Sequence, residues 1–150
     1  MSPIAAPGLS ADVGEDVPMP DVLWKSAPED HDYPAAVAYL SLLAEPGEVA
    51  NLLSLLRGAS AQHFKAKDIL RAAGLPLLPR DNPHVAADLH RIAHGSQLSP
   101  VLLVRGELGS GRPLQIADGY HRVCASYYTE ENTDIPCRLA ARDDATTARR

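Results

Sequence analysis

Apolar residues recur along this chain with two different periods, and the period changes near residue 75. Before that point the spacing is helical. Residues 34–45, P-A-A-V-A-Y-L-S-L-L-A-E, predict a helix with Pro34 in its first turn, and Pro46-Gly47 break it. Residues 47–58, G-E-V-A-N-L-L-S-L-L-R-G, predict a second, with Val49, Leu52, Leu53 and Leu56 on one face and Gly58 as its stop. Residues 60–74 predict a third, capped by Ser60 and ended by Gly74.

After residue 75 the pattern mixes. L-P-L-L-P-R-D is a short extended piece. Residues 82–95 predict a helix with Asn82 as N-cap, Pro83 at the first position, Gly95 as terminator, and Val85, Leu89 and Ile92 facing the core. S-P-V-L-L-V-R is an unbroken apolar run, which predicts a strand buried on both faces. G-E-L-G-S-G-R reads as a hairpin tip and P-L-Q-I-A as the return strand. G-Y-H-R-V-C-A-S-Y-Y predicts a helix and D-I-P-C-R-L-A a last strand. The expected architecture is α+β: a small mixed sheet with helices packed on it, preceded by a helical extension over 23–74.

The ends differ from this body. Residues 1–22 are rich in Pro, Gly, Ala and acid, and the tail A-R-D-D-A-T-T-A-R-R over 141–150 is polar, so both are expected to be disordered. One domain over 23–140 remains, with its sheet-bearing core in 75–140.

Charge narrows the function classes. The lead carries Asp12, Glu15, Asp16 and Asp21 and no Lys or Arg, and the body is itself slightly acidic within a chain of net charge -5. A duplex-binding domain usually carries a basic excess or stripe, so tight DNA binding without a partner is disfavoured. No run of 18 apolar residues predicts a membrane span, and the N-terminus lacks the charged and apolar regions of a secretory signal. Cys124 and Cys137 make neither a disulfide framework nor a four-ligand zinc set, which points to a reducing cytoplasm.

The stretch with the most chemistry is Asp118-Gly119-Tyr120-His121-Arg122, where a strand turns into a helix. The free N–H groups of a helix's first turn carry partial positive charge and favour anions. Gly119 admits close approach to the backbone, and Arg122 can hold a phosphate through two parallel hydrogen bonds. Asp118 complicates the arrangement, because its carboxylate can cap the same N–H groups. Either it turns to another donor, or Mg²⁺ bridges it to the phosphate.

From about Leu75 to Leu139 the chain resembles the ParB/sulfiredoxin superfamily, the ParB N-terminal-like or "ParB-like nuclease" domain. The order L-P-L-L-P, short helix, L-S-P-V-L-L-V-R, hairpin, L-Q-I-A-D-G-Y-H-R-V-C-A-S and D-I-P-C-R-L carries the likeness. Arg122-Val123-Cys124-Ala125 fits the family's R-x-x-A on the helix, and Ile135-Pro136 fits its "vP" strand. The likeness covers less than half the chain. It implies a nucleotide phosphate held at the turn, as in CTP-dependent partition proteins, ATP-using sulfiredoxin and a free-serine kinase. Sulfiredoxins place a reactive Cys where this chain has Tyr120, so thiol repair is not expected. The partition proteins' G-E-R-R is absent, and no helix-turn-helix follows residue 139.

Secondary candidates surround this turn in the sequence. Glu29-Asp30-His31-Asp32 puts three carboxylates and an imidazole before a helix, and Glu29 is a candidate general base. Arg80, with Asp81 and Asn82, occupies a place where the superfamily often adds nucleotide contacts. His90 and His94 have metal-pair spacing but no third ligand, and Lys65, Lys67 and Arg71 read as a wet face beside Asp68. Cys124 reads as core, and Trp24 and Tyr33 as anchors.

The expectation is a cytoplasmic protein binding a nucleotide (ATP/ADP or CTP) or another phosphorylated ligand through Gly119, Tyr120, His121, Arg122 and Arg80. Asp118 would orient Mg²⁺ or the turn. Phosphoryl transfer would draw on His121, Asp118 and Glu29 as catalytic groups. A homodimer is compatible with the sequence. The alternatives are a non-catalytic interaction module with DNA-linked partners, or a ParB-like nuclease. The nuclease lacks a basic track and a two-metal carboxylate set.

Overall fold

The computed structural model describes residues 19–141. The elements in chain order are β1 (Leu23–Trp24), α1 (Asp32–Leu40), α2 (Pro46–Gly58), β2 (Gln62–Lys65), α3 (Ala66–Ala73) and α4 (Pro83–Ala93). There follow β3 (Gln97–Leu98), β4 (Val101–Val104), β5 (Gln115–Asp118), α5 (Tyr120–Thr129) and β6 (Asp134–Ala140). The fold is α+β, as the pattern predicts. Met19 and Val22 already pack on the core, so the body begins before Leu23. The rest of the expected lead, and the tail from residue 142, lie outside the described residues.

A four-stranded sheet in the order β2-β6-β4-β5 organises the molecule, and β1 and β3 form a separate parallel pair. β4 and β6 run parallel; β2 and β5 pair antiparallel on the two edges. Alternation along β4 explains its unbroken V-L-L-V. Val101 and Leu103 face one core with α3, α4 and α5, while Leu102 and Val104 face a second core with α1 and α2. Both faces of the strand are dry, and a polar residue anywhere in it would lose its water.

The segment over 60–74 corrects the expectation of one helix from Ser60. Gln62–Lys65 is an edge strand, with Phe64 opposite Ile135 and Lys65 opposite Asp134, and the helix starts only at Ala66. The helical apolar spacing starts there too, at Ala66, Ile69, Leu70 and Ala73. Before it only Phe64 can be buried, and pairing with β6 satisfies the backbone that a helical turn would have left exposed. The first helix likewise starts at Asp32 and ends at Leu40, shorter than expected at its C-terminal end.

The helix at 83–93 is built as predicted. The Asn82 side chain accepts hydrogen bonds from the His84 and Val85 amides at 3.0 and 3.2 Å. Asn82→Ala should therefore cost about 1 kcal/mol, read as a fall of about 3 °C in Tm.

Candidate functional site

The Asp118–Arg122 turn lies where β5 ends and α5 begins, at a sheet edge covered by both helical layers. Gly119 is the N-cap, with φ of 113°. No side chain caps α5, so Asp118 does not compete for the first-turn amides. Its carboxylate accepts from Arg122 Nη2 at 2.9 Å, and the same nitrogen donates to the Pro100 carbonyl at 3.2 Å. Arg122 Nε is buried with no partner, a donor whose desolvation typically costs about 1–3 kcal/mol when unsatisfied.

Asp118 also meets a second acid. Asp32, only 2 % exposed, sits at the start of α1. Its Oδ2 accepts from the Ser99 hydroxyl and, at 2.9 Å, from the Glu29 amide. Burial pushes the Asp118 carboxyl up, the Arg122 guanidinium pulls it back, and Asp32 adds to the rise by repulsion and by a carboxyl–carboxyl hydrogen bond. The result is a chain, Ser99–Asp32–Asp118–Arg122, drawn from four separate parts of the sequence. A carboxyl raised in this way at a cleft wall is suited to hold and release a proton.

Outside that chain is a cleft of about 200 Å³ lined by His84, Asp88, Asp118, Gly119, His121 and Arg122. The His84 and His121 rings are 4.7 Å apart. Burial pushes the His121 imidazole below its ordinary 6.5, His84 and Arg122 push the same way, and Asp88 opposes them. Asp88 is itself buried and paired with Arg91 at 2.6 Å.

Several expected members are elsewhere. Glu29 faces Lys25 at 3.3 Å and does not line the cleft; of its cluster, Asp32 reaches Asp118. Arg80 lies over the Tyr128 ring at 4.6 Å, about 12 Å along α5 from Tyr120 at 1.5 Å per residue. The Tyr120 hydroxyl donates to the Pro76 carbonyl at 2.6 Å and Tyr128 to Leu78 at 2.7 Å, so these tyrosines pin the 75–82 linker. Gly119 lacks a Cβ because protein fills that space: a methyl would stand 2.9 Å from Val101 Cγ2 and 3.0 Å from Arg122 Nη2. Cys124 is fully buried and its thiol is pushed up by burial, as befits core. The His90 and His94 rings lie 4.1 Å apart and tilted to each other at the surface, and Lys67 and Arg71 flank Asp68.

Sequence reading missed Asp32 as Asp118's partner, and missed Ser99, His84 and Asp88. Two of these left a trace. Asp88 is three residues after Val85 and four before Ile92, and Asp32 is four and eight residues before Ala36 and Leu40. Both acids therefore interrupt apolar stripes, where an acid is buried and must find a partner.

Among the described residues, no three His, Cys, Asp or Glu side chains converge as a metal-ligand set, and no helix is long and apolar enough to cross a membrane. No known protein family, curated protein or solved structure matches this chain.

Proposed function

We propose that this protein binds a nucleotide or another phosphorylated ligand at the start of α5. The observation that carries the reading is Asp118 turned onto Arg122 and Asp32, which leaves the helix start uncapped and facing a cleft with two imidazoles. Amides at a helix start and neutral or charged imidazoles suit phosphate oxygens. The resemblance of residues 75–139 to the ParB/sulfiredoxin superfamily supports the same ligand class.

Size limits what enters. Ligand pockets run to roughly 300–1,000 Å³, and the cleft of about 200 Å³ takes a phosphate group, not a base. ATP, ADP, CTP and GTP should therefore bind within a few-fold of one another. Mg²⁺ is usually held by one or two carboxylates together with phosphate oxygens and water, and Asp118 would be its protein ligand here. Where the ligand is turned over, phosphoryl transfer fits best; without Mg²⁺ the Asp32–Asp118 pair would take the acid–base role first expected of Glu29, and with Mg²⁺ on Asp118 that role would pass to His121. The buried free thiols suit a reducing cytoplasm.

A thermal-shift and calorimetric titration with the four nucleotides and pyrophosphate, with and without Mg²⁺, tests the reading. Stabilisation by several of them, weakened in His121→Gln, is expected. No shift with any ligand at millimolar concentration would sink it.

The pH dependence has a definite sign. In the free protein His121 titrates below 6.5. A bound phosphate favours the imidazolium, so binding takes up a proton, and affinity should rise as pH falls from about 8 to about 6. His121→Gln should flatten that rise by the histidine's share, read as the difference between the two titrations.

A further inference from the structure

A larger cavity lies away from the turn and shares no lining residue with it. It is a groove of about 580 Å³ between α3 and the hairpin that joins β4 to β5. Leu103, Leu114 and Leu139 line it from the sheet and hairpin, with Phe64, Ile69 and Ala72 from β2 and α3. Its volume falls inside the usual range for small-molecule sites.

The lining carries two acids, Asp68 and Glu107, and two arginines, Arg105 and Arg112, and all but Arg105 have an oppositely charged partner. Glu107 is paired with Arg112 at 3.4 Å, and Asp68 has Lys67 at 3.2 Å and Arg71 at 3.9 Å. Arg105 faces the same groove and its side chain has no acid partner among the described residues. Its backbone is fixed nonetheless, since the Arg105 amide donates to the Ala140 carbonyl at 2.8 Å and prolongs the β4–β6 pairing. The hairpin wall is equally constrained: a Cβ on Gly106 would stand 2.4 Å from the Arg112 carbonyl oxygen and 2.7 Å from the Leu114 nitrogen. Leu108, at the hairpin tip beside the groove, is fully exposed. An apolar pocket, one unmatched cation on an anchored stem and an exposed leucine at the mouth together describe a complement. It has an apolar body and a single negative charge.

We propose that this groove is a second ligand site, for a small amphipathic monocarboxylate with an aromatic or branched aliphatic body. The carboxylate pairs with the Arg105 guanidinium, which presents a fork matched to two carboxylate oxygens. The body lies on Leu103, Leu114 and Leu139 and covers Leu108.

The test uses the full chain, 2-naphthoate as probe and 2-naphthylmethanol as its neutral counterpart, with binding followed by calorimetry and by probe fluorescence. Naphthoate should bind about tenfold more tightly than the alcohol, the size of effect a charge-assisted pair gives at a partly exposed site. Arg105→Gln, at an exposed position, should bring naphthoate down to the alcohol's affinity and leave the alcohol unchanged. Ala72→Trp, which fills the groove from α3, should abolish both, and His121→Gln should alter neither. Equal naphthoate binding by wild type and Arg105→Gln overturns the carboxylate assignment. Loss of binding in His121→Gln overturns the location. If sedimentation shows a dimer that Ala72→Trp converts to monomer, the groove belongs to a second copy of the chain and the proposal falls.

Discussion

Replacing Gly119 by alanine should lower the melting temperature by about 10 °C and abolish ligand binding at the turn. Two costs add. A residue with a side chain at φ of 113° is strained, by about 1–3 kcal/mol. The new methyl would also stand 2.9 and 3.1 Å from the two Val101 methyls and 3.0 Å from Arg122 Nη2, and overpacking of this kind costs about 1–3 kcal/mol. Val101 is completely buried in the middle layer and cannot yield. Arg122 can, but only by leaving Asp118. A total near 3 kcal/mol corresponds to about 10 °C in a domain of this size. Circular dichroism melting reads the first effect and titration with pyrophosphate the second. An alanine variant that melts within two or three degrees of wild type would show that Val101 does not hold this turn.

That prediction depends on packing, which no local pattern displays. The apolar rhythm was enough to find β4, because V-L-L-V has a single reading once both neighbours of the strand are covered. It was enough for α4 too, because Asn82, Pro83 and Gly95 mark its ends by backbone chemistry alone. It failed over residues 60–65, where Q-H-F-K has one apolar side chain and no period; only the free edge of β6 makes that stretch a strand. The turn Asp118–Arg122 was legible as a strand-to-helix junction with cationic and imidazole groups. The direction in which Asp118 points was not, since it depends on Asp32, 86 positions earlier, delivered by a helix on the other side of the sheet. Glycine gave a similar lesson. At 119 the sequence allows two reasons for a missing side chain, an approaching ligand or an approaching neighbour, and the structure supplies Val101 and Arg122 as the neighbours.

Arg122→Leu should cost about as much stability as Gly119→Ala, and its damage should depend on pH. Arg122 and Asp118 are 16 % and 17 % exposed at the side chain, so little solvent replaces the lost partner. Breaking one half of a buried pair typically costs about 3–5 kcal/mol; with this residual exposure about 3 kcal/mol is expected, again near 10 °C in Tm. The leucine also leaves Asp118, beside Asp32, without its counter-charge. Arg122 is the group that lowers the Asp118 carboxyl against burial and Asp32 repulsion, so its loss drives that carboxyl further above its ordinary 3.8. A carboxyl whose folded value is raised binds its proton more tightly in the folded than in the unfolded chain. Its favourable contribution is complete below the unfolded value and is lost as pH climbs through the folded one. The deficit of Arg122→Leu should therefore be largest at neutral pH and shrink as pH falls through the raised Asp118 value, where that carboxyl takes up its proton. Asp118→Asn placed in the Arg122→Leu background removes the unmatched charge and should recover more than half of the lost stability at neutral pH, with little pH dependence left. Measured as a double-mutant cycle across pH, a coupling that stays constant would mean Arg122 serves only the Pro100 carbonyl and packing. A coupling that collapses in acid identifies the guanidinium as the counter-charge of the acid pair. The same cycle separates stability from binding: the double variant regains its fold but still lacks the cation beside the cleft, so pyrophosphate should bind it at least tenfold more weakly, about 1.4 kcal/mol, than it binds the wild-type chain.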